Sequence, residues 1–332
     1  FFLIFLILIF SNFKNEYKLT HLVYNPDKAT NIFKDVQKVI TKVFFIYIFL
    51  TALIFILFTF SGIRLFNSFN LAMTISSTGA FLPTNELSEI IRYSSQKIIL
   101  TIALTFSALN IYFFYSLFKN ENTLKKHYED IMILSAVFIF SLILFASIQE
   151  VSFIDIFFSV VSSLSSSGLT SFKPPENFYL IFIFLTIIGG SVISNSSGIK
   201  FIRLYILFKS TVLEIFKLAS PNVIIDQRIL KTEHKINNEN LNSSFFIFIC
   251  FFISIFILSS ILTTSGLNFD ESFKLSILTI TNTVNSSLFG LNDIDFFNLL
   301  TSSKIFIIIF MVIGKIELIS LFLIIKKIIS RN

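Results

Sequence analysis

Residues 178–200 read FYLIFIFLTIIGGSVISNSSGIK. The apolar run that opens this stretch stops after about half of the roughly 20 residues a helix needs to cross lipid. It then turns into glycine, serine and asparagine. An interior of small polar residues is tolerable at membrane depth only where it faces protein or water. The question is whether the rest of the chain supplies that setting.

Of the 332 residues, 54% are hydrophobic and only 14% charged, with 46 Phe and no Trp. A globular chain carries about 25% charged residues, so this composition excludes a soluble domain. Strongly apolar segments near 1–11, 43–60, 98–118, 131–148, 178–193, 244–263 and 305–325 make it polytopic in the membrane. The first segment, FFLIFLILIF, is too short to span and has neither a basic flank nor a cleavage site, so the sequence reads as beginning inside a helix. With one cysteine, Cys250, an internal disulfide and a thiolate cluster are both excluded, and Cys250 reads as a packing residue. His21, His127 and His234 are scattered through polar connectors and read as solvated loop residues rather than metal ligands.

Three shorter, semi-apolar stretches lie between long segments: LFNSFNLAMTISSTGAF (65–81), SFIDIFFSVVSSLSSSGLTSF (152–172) and NFDESFKLSILTITNTVNSSLFG (268–290). Each starts at a capping residue, runs about three apolar turns and dissolves into Ser, Thr, Asn and Gly. Candidate caps are Asn67 or Ser68, Ser152 with Asp155, and Asn268 or Asp270. The order of parts is an internal repeat. It reads as three re-entrant hairpins, against the alternative of ordinary external loops carrying surface helices. Gly79 and Gly168 fall at corresponding points after their short helices.

The basic residues are concentrated in 12–42, 119–126, 200–235 and the tail, which places those faces in the cytoplasm and the hairpins outside. The net charge of +6 is therefore topology, and no basic, aromatic-laced groove points to nucleic acid. No cluster of acidic or His residues gathers at one membrane face, so an enzyme is not indicated. Short helices with their C-terminal ends turned toward a common axis would instead present partial negative charge and carbonyl oxygens to a dehydrated cation.

Lys315 lies within IFIIIFMVIGKIELISLFLII (305–325), where a charge costs at least about 2.5–3.5 kcal/mol at the bilayer centre. It must face the bundle interior. Glu317, two residues on, points in another direction on a helix, so each needs a partner on another element.

On these residues the chain resembles the Trk/Ktr/HKT superfamily of potassium transporters, and within it the TrkH branch. IGGSVISNSSGIKFIR is similar to the family's glycine- and serine-rich break in the third inner helix, followed by Gly-Ile-Lys. MVIGKIELIS (311–320) is similar to its fourth inner helix. The resemblance implies an all-α polytopic membrane protein of repeated outer helix, pore helix, filter loop and inner helix around a pseudo-fourfold pore. On that plan residues 1–11 are the inner helix of an incomplete first repeat. Repeats two, three and four occupy 43–118, 131–208 and 244–326, with cytoplasmic connectors at 12–42, 119–130 and 209–243 and a tail at 327–332.

The same resemblance implies a K⁺ filter lined by the backbones of Ser77, Thr78, Gly79 and Ala80, of Ser166, Ser167, Gly168 and Leu169, and of Thr283, Val284, Asn285 and Ser286. It implies a gate made by Gly189, Gly190, Ser191, Ser194, Asn195, Ser196, Ser197 and Gly198, with Lys315 beside it. A helix that simply ends near the cytoplasmic surface is the alternative for the break. The implied setting is the bacterial inner membrane, with a homodimer, a cytoplasmic nucleotide-binding regulatory subunit of the TrkA or KtrA kind, and no covalently bound cofactor. Two departures stand out. The outer helix, pore helix and filter loop of the first repeat have no counterpart, and the fourth repeat carries Asn285 where the family has its filter glycine. Asparagine tolerates left-handed angles, so the second departure bears on selectivity, with a Na⁺-permeable or weakly selective channel, or a non-conducting remnant, as the other readings.

Overall fold

The computed structural model describes residues 32–79, 81–84, 87–111, 113, 127–148, 151–192, 194–219, 228–230, 236–283, 287–291 and 299–316. The segment 1–11, the tail 327–332, His21, His234, Ala80, Val284, Asn285, Ser286 and Glu317 lie outside them.

The described residues form ten α-helices: α1 (Ile32–Phe60), α2 (Leu65–Ser77), α3 (Ser94–Ala108), α4 (Tyr128–Ser147), α5 (Phe153–Leu164), α6 (Tyr179–Ile187), α7 (Phe201–Ala219), α8 (Asn238–Thr264), α9 (Phe269–Ile280) and α10 (Thr301–Ile316). Two helices among them, α4 and α8, are long and apolar enough to cross a membrane by length and composition. Their outward faces confirm what such a composition requires. Phe138, Ile139, Leu142, Ile143 and Phe145 on α4, and Phe246, Ile249, Ile253, Phe256 and Ile257 on α8, are all exposed. Contiguous apolar surface of this kind suits lipid rather than water.

The order long helix, short helix, further helix occurs three times, as α1–α2–α3, α4–α5–α6/α7 and α8–α9–α10. Each short helix packs on both its neighbours, and the units join through α3 on α5, α6 on α9 and α7 on α8. One apolar core runs through all three, centred on Phe58, Leu71, Ile75, Phe158, Phe182 and Phe289. The middle short helix is enclosed: every residue from 158 to 169 is buried, including Ser159, Ser162, Ser163, Ser165, Ser166 and Ser167. Hydroxyls are thus buried beside the apolar core, while large apolar side chains also remain on the outside.

Two local readings need correction. Helix α2 begins at Leu65 behind Arg64, with no side-chain cap. Asn67 and Ser68 are therefore inside the helix, where Ser68 Oγ donates to the Ile63 carbonyl at 3.2 Å; packing on α1 sets this start, not a cap. His127 is buried, not solvated: its Nδ1 lies 3.1 Å from Asp130 Oδ2 and its ring packs edge-on against Phe113. The other two caps hold their places. Asn268 stands at the N-cap position of α9 without a side-chain capping bond, and Ser152 caps α5 by accepting from the Asp155 amide at 3.2 Å.

Candidate functional site: three helix ends and a broken helix

The three short helices end in the same turn. Thr78, Ser166 and Asn282 all adopt left-handed backbone, with φ of 50°, 60° and 53°. In each case the amide of that residue donates to the carbonyl three back and the next amide to the carbonyl five back: Thr78 to Ile75 and Gly79 to Thr74, Ser166 to Ser163 and Ser167 to Ser162, Asn282 to Thr279 and Thr283 to Leu278, all at 2.9–3.1 Å. This double closure is the Schellman pattern. It reverses the chain at the partially negative end of each helix.

That register assigns equivalent positions by geometry. Gly79 corresponds to Ser167 and Thr283, whereas Gly168, with φ of 70°, stands one place further on. The two glycines are thus not equivalent. The reason lies in the hydroxyls: Ser165 Oγ meets Ser167 Oγ, and Thr281 Oγ1 meets Thr283 Oγ1, each at 2.9 Å. At Gly79 the partner hydroxyl is missing, and a Cβ there would lie 3.0 Å from Ser77 Oγ. A second tie closes two of the three loops, from Thr74 Oγ1 to the Phe81 carbonyl at 2.8 Å and from Ser162 Oγ to the Leu169 carbonyl at 2.6 Å. The same register puts Leu278 in the third, where no hydroxyl is available.

The break follows from two close approaches. Helix α6 stops at Ile187, and the chain leaves through the two-residue strand β1 (Ile188–Gly189), which pairs in parallel with β2 (Ile199–Lys200). The intervening residues form a closed loop inside the protein. A Cβ on Gly190 would stand 2.2 Å from the carbonyl oxygen of Ala108, the last residue of α3. Only glycine lets the loop come so near, and the Ser191 amide then donates to that carbonyl at 3.0 Å. Gly190 N donates to Ser196 Oγ at 2.7 Å, and Ser196 Oγ lies 2.8 Å from Ser194 Oγ. Helix α7 starts at once with Phe201, whose amide donates to the Gly190 carbonyl at 3.2 Å. Lys200 and Arg203, which the charge pattern groups with a cytoplasmic connector, are both buried here.

Lys315 joins the broken helix to the first helix end. Its Nζ donates to the Ser77 carbonyl at 3.1 Å, to Thr78 Oγ1 at 2.8 Å and to the Asn195 carbonyl at 2.8 Å. Asn195 also donates from Nδ2 to the Ser76 carbonyl at 2.5 Å, and Thr78 Oγ1 reaches the Asn195 carbonyl at 2.9 Å. Three elements far apart in sequence meet around one ammonium. Hydrogen bonds to a charged group contribute about 1.5–3 kcal/mol each, enough to offset much of the desolvation of this partly buried lysine. Beside it, a Cβ on Gly314 would lie 1.9 Å from the Ile280 carbonyl, so α10 lies directly against the end of α9. Asn282 Nδ2 completes that contact by donating to the Met311 carbonyl at 2.8 Å.

At the opposite end of α5, the Asp155 carboxylate is held by Lys97 from α3, by Ser152 Oγ at 2.6 Å and by Ser171 Oγ at 2.6 Å. Burial raises its pKa, but donation from Lys97, Ser152 and Ser171 outweighs this and holds the carboxyl below its ordinary value. The short helix is thereby fixed at both termini.

Of the residues assigned from sequence, Thr78, Asn195 and Lys315 are brought together, and Gly190, Ser191, Ser194 and Ser196 form the closed loop. Sequence reasoning missed Asn282, Ala108, the Thr74 and Ser162 ties and the interior position of Lys200. A hydroxyl seven residues before the loop's return was the only signal available for the ties.

Residues 132–331 match the family model of TrkH, described as a cation transport protein. The chain belongs to the TrkH family. Among curated proteins, this family member is 25% identical over 269 residues to an uncharacterized cation transporter of Methanocaldococcus jannaschii, covering 77% of this chain and 54% of that one. It is 26% identical over 283 residues to the Trk system potassium uptake protein TrkG of Escherichia coli, covering 78% and 55%. The chain thus spans about half the length of the curated relatives it matches. Its fold is similar to the crystal structure of the potassium transporter TrkH from Vibrio parahaemolyticus, with a TM-score of 0.74 at 18% identity over 87% of this chain and 64% of that chain. The protein is an all-α integral membrane protein of this family and not an enzyme.

Proposed function

We propose that this chain is pore-forming sequence of a Trk-type potassium-uptake system, in which dehydrated K⁺ passes the carbonyl-rich turns after α2, α5 and α9. The observation that carries this reading is the thrice-repeated left-handed turn at Thr78, Ser166 and Asn282. Such turns place backbone oxygens and the negative ends of three half-helices in the protein interior, which suits a monovalent cation without any acidic side chain. The potassium uptake named for TrkG supports the choice of ion.

In this proposal Ser77 to Ala80, Ser166 to Leu169 and Thr283 to Ser286 line the filter. The loop from Gly189 to Gly198 is the gate, with Lys315 holding it against the first filter turn. The full-length protein acts in the bacterial inner membrane as a homodimer, with the three repeats around a pseudo-fourfold pore and a nucleotide-binding subunit docked on the cytoplasmic connectors. A weakly selective pore is the second reading, favoured by Leu278, which leaves the third turn without the hydroxyl tie that Thr74 and Ser162 provide. Rb⁺ and Na⁺ fluxes through proteoliposomes of the full-length protein separate the two. Rb⁺ in clear excess is expected, and equal fluxes would sink the potassium assignment.

A further inference from the structure

The loop from Gly190 to Ser197 contains a second ammonium that the transport reading leaves without a role. Lys200 is 6% exposed. Its Nζ donates to the Ser194 carbonyl at 3.0 Å, to Ser194 Oγ at 3.1 Å and to the Ser196 carbonyl at 2.7 Å. These oxygens flank Asn195 on both sides, and Asn195 is the residue whose carbonyl receives Lys315. The base of Lys200 is itself fixed, since its backbone pairs with Gly189 across the neck of the loop. Glu129, on the first turn of α4, is also buried and is attracted electrostatically to Lys200. Asp130 adjoins it in sequence, and the Lys200 and Lys315 ammonium groups repel one another.

We infer that Lys200 is the positioning residue of the loop: a tethered ammonium that gathers the Ser194 and Ser196 oxygens from inside and so sets where Asn195 presents its carbonyl to Lys315. The inference rests on reading 189–198 as the gate. Its physical basis is that loop backbone turned inward leaves carbonyls needing donors. An ammonium supplies up to three donors from one point, and charge-assisted bonds of this kind are the strong ones. Lys315 binds the loop to the rest of the pore, whereas Lys200 gives the loop its shape.

The test uses the full-length protein and Lys200→Met, which keeps the length of the side chain and removes the donors. Amide exchange over 188–200 is expected to quicken about tenfold or more, with residues 153–165 within about twofold of wild type. In proteoliposomes the maximal Rb⁺ flux rises while the apparent KM for Rb⁺ stays unchanged, because the filter turns are not touched; a merely structural role that deformed the filter would move KM. Exchange over 188–200 within about twofold of wild type, or a shifted KM, would overturn the inference. If Lys200→Met unfolds, so that exchange quickens everywhere, Ser194→Ala decides. It removes one of the three acceptors, and a smaller increase confined to 188–200 is expected, while none overturns the inference. Should wild-type protein carry no Rb⁺ at all, the transport reading fails and the exchange comparison still settles the role of Lys200.

Discussion

Gly190→Ala is the most demanding single test of the broken helix. The new Cβ would stand 2.2 Å from the Ala108 carbonyl oxygen and 2.8 Å from Ser196 Oγ, where ordinary contact begins at 3.4 Å. The loop has to withdraw from α3 by about an ångström, and two hydrogen bonds go with it, from Ser191 N to Ala108 O and from Gly190 N to Ser196 Oγ. Both are buried, and leaving such groups without partners costs about 1–3 kcal/mol each. A loss of about 2–6 kcal/mol is therefore expected for the packed form of the loop. At about 1.4 kcal/mol per factor of ten, this shifts the ratio of packed to displaced loop by roughly thirtyfold to twenty-thousandfold. The assay pairs basal Rb⁺ flux of the reconstituted full-length protein with amide exchange over 188–200, and both should increase. A variant with wild-type exchange and wild-type flux would refute the reasoning, since the close approach to Ala108 would then not hold the loop.

Three other substitutions probe the surrounding contacts. Gly314→Ala drives a Cβ to 1.9 Å from the Ile280 carbonyl, and overpacking of this kind should cost about 1–3 kcal/mol, read as a lower Tm of the detergent-solubilised protein. Ser166→Gly should raise Tm, because Ser166 is left-handed at φ 60° and its buried hydroxyl has no hydrogen-bond partner among the described residues; the expected gain is about 1 kcal/mol after the entropy of glycine is counted. Asp155, whose folded pKa is depressed, contributes stability that is present above its ordinary value of 3.8 and lost as pH falls through the lower folded value. Wild-type Tm should therefore drop on acidification below that value, and Asp155→Asn should start lower and show a flatter profile; identical profiles would remove the role given to the Lys97 contact.

Much of this arrangement was legible in the sequence because the membrane makes patterns coarse. Apolar runs give the long helices, and a stop after half a bilayer in glycine and serine gives the break between Ile187 and Phe201. The cost of a charge at depth made Lys315 reach beyond its own helix, but nothing local named Ser77, Thr78 and Asn195 as its acceptors. Register was harder. The glycines look like the repeat, yet the repeated element is a left-handed turn carried by Thr78, Ser166 and Asn282, two hydroxyl residues and an amide fixed by the same pair of backbone bonds. Caps misled where tertiary packing sets the boundary, as at Arg64. Lys200 was hidden by its neighbours, since a lysine next to basic connector sequence reads as solvated until the fold encloses it.

The account depends most on the three helix ends forming one cation path. Rubidium replaces potassium in crystals of the full-length protein, and anomalous scattering locates it without reference to any assumed chemistry. The account predicts Rb⁺ density within coordination distance of the backbone oxygens at Thr78–Gly79 and Ser166–Gly168, weakened when Na⁺ replaces Rb⁺. Rb⁺ bound only elsewhere, with those turns facing separate directions, would contradict it.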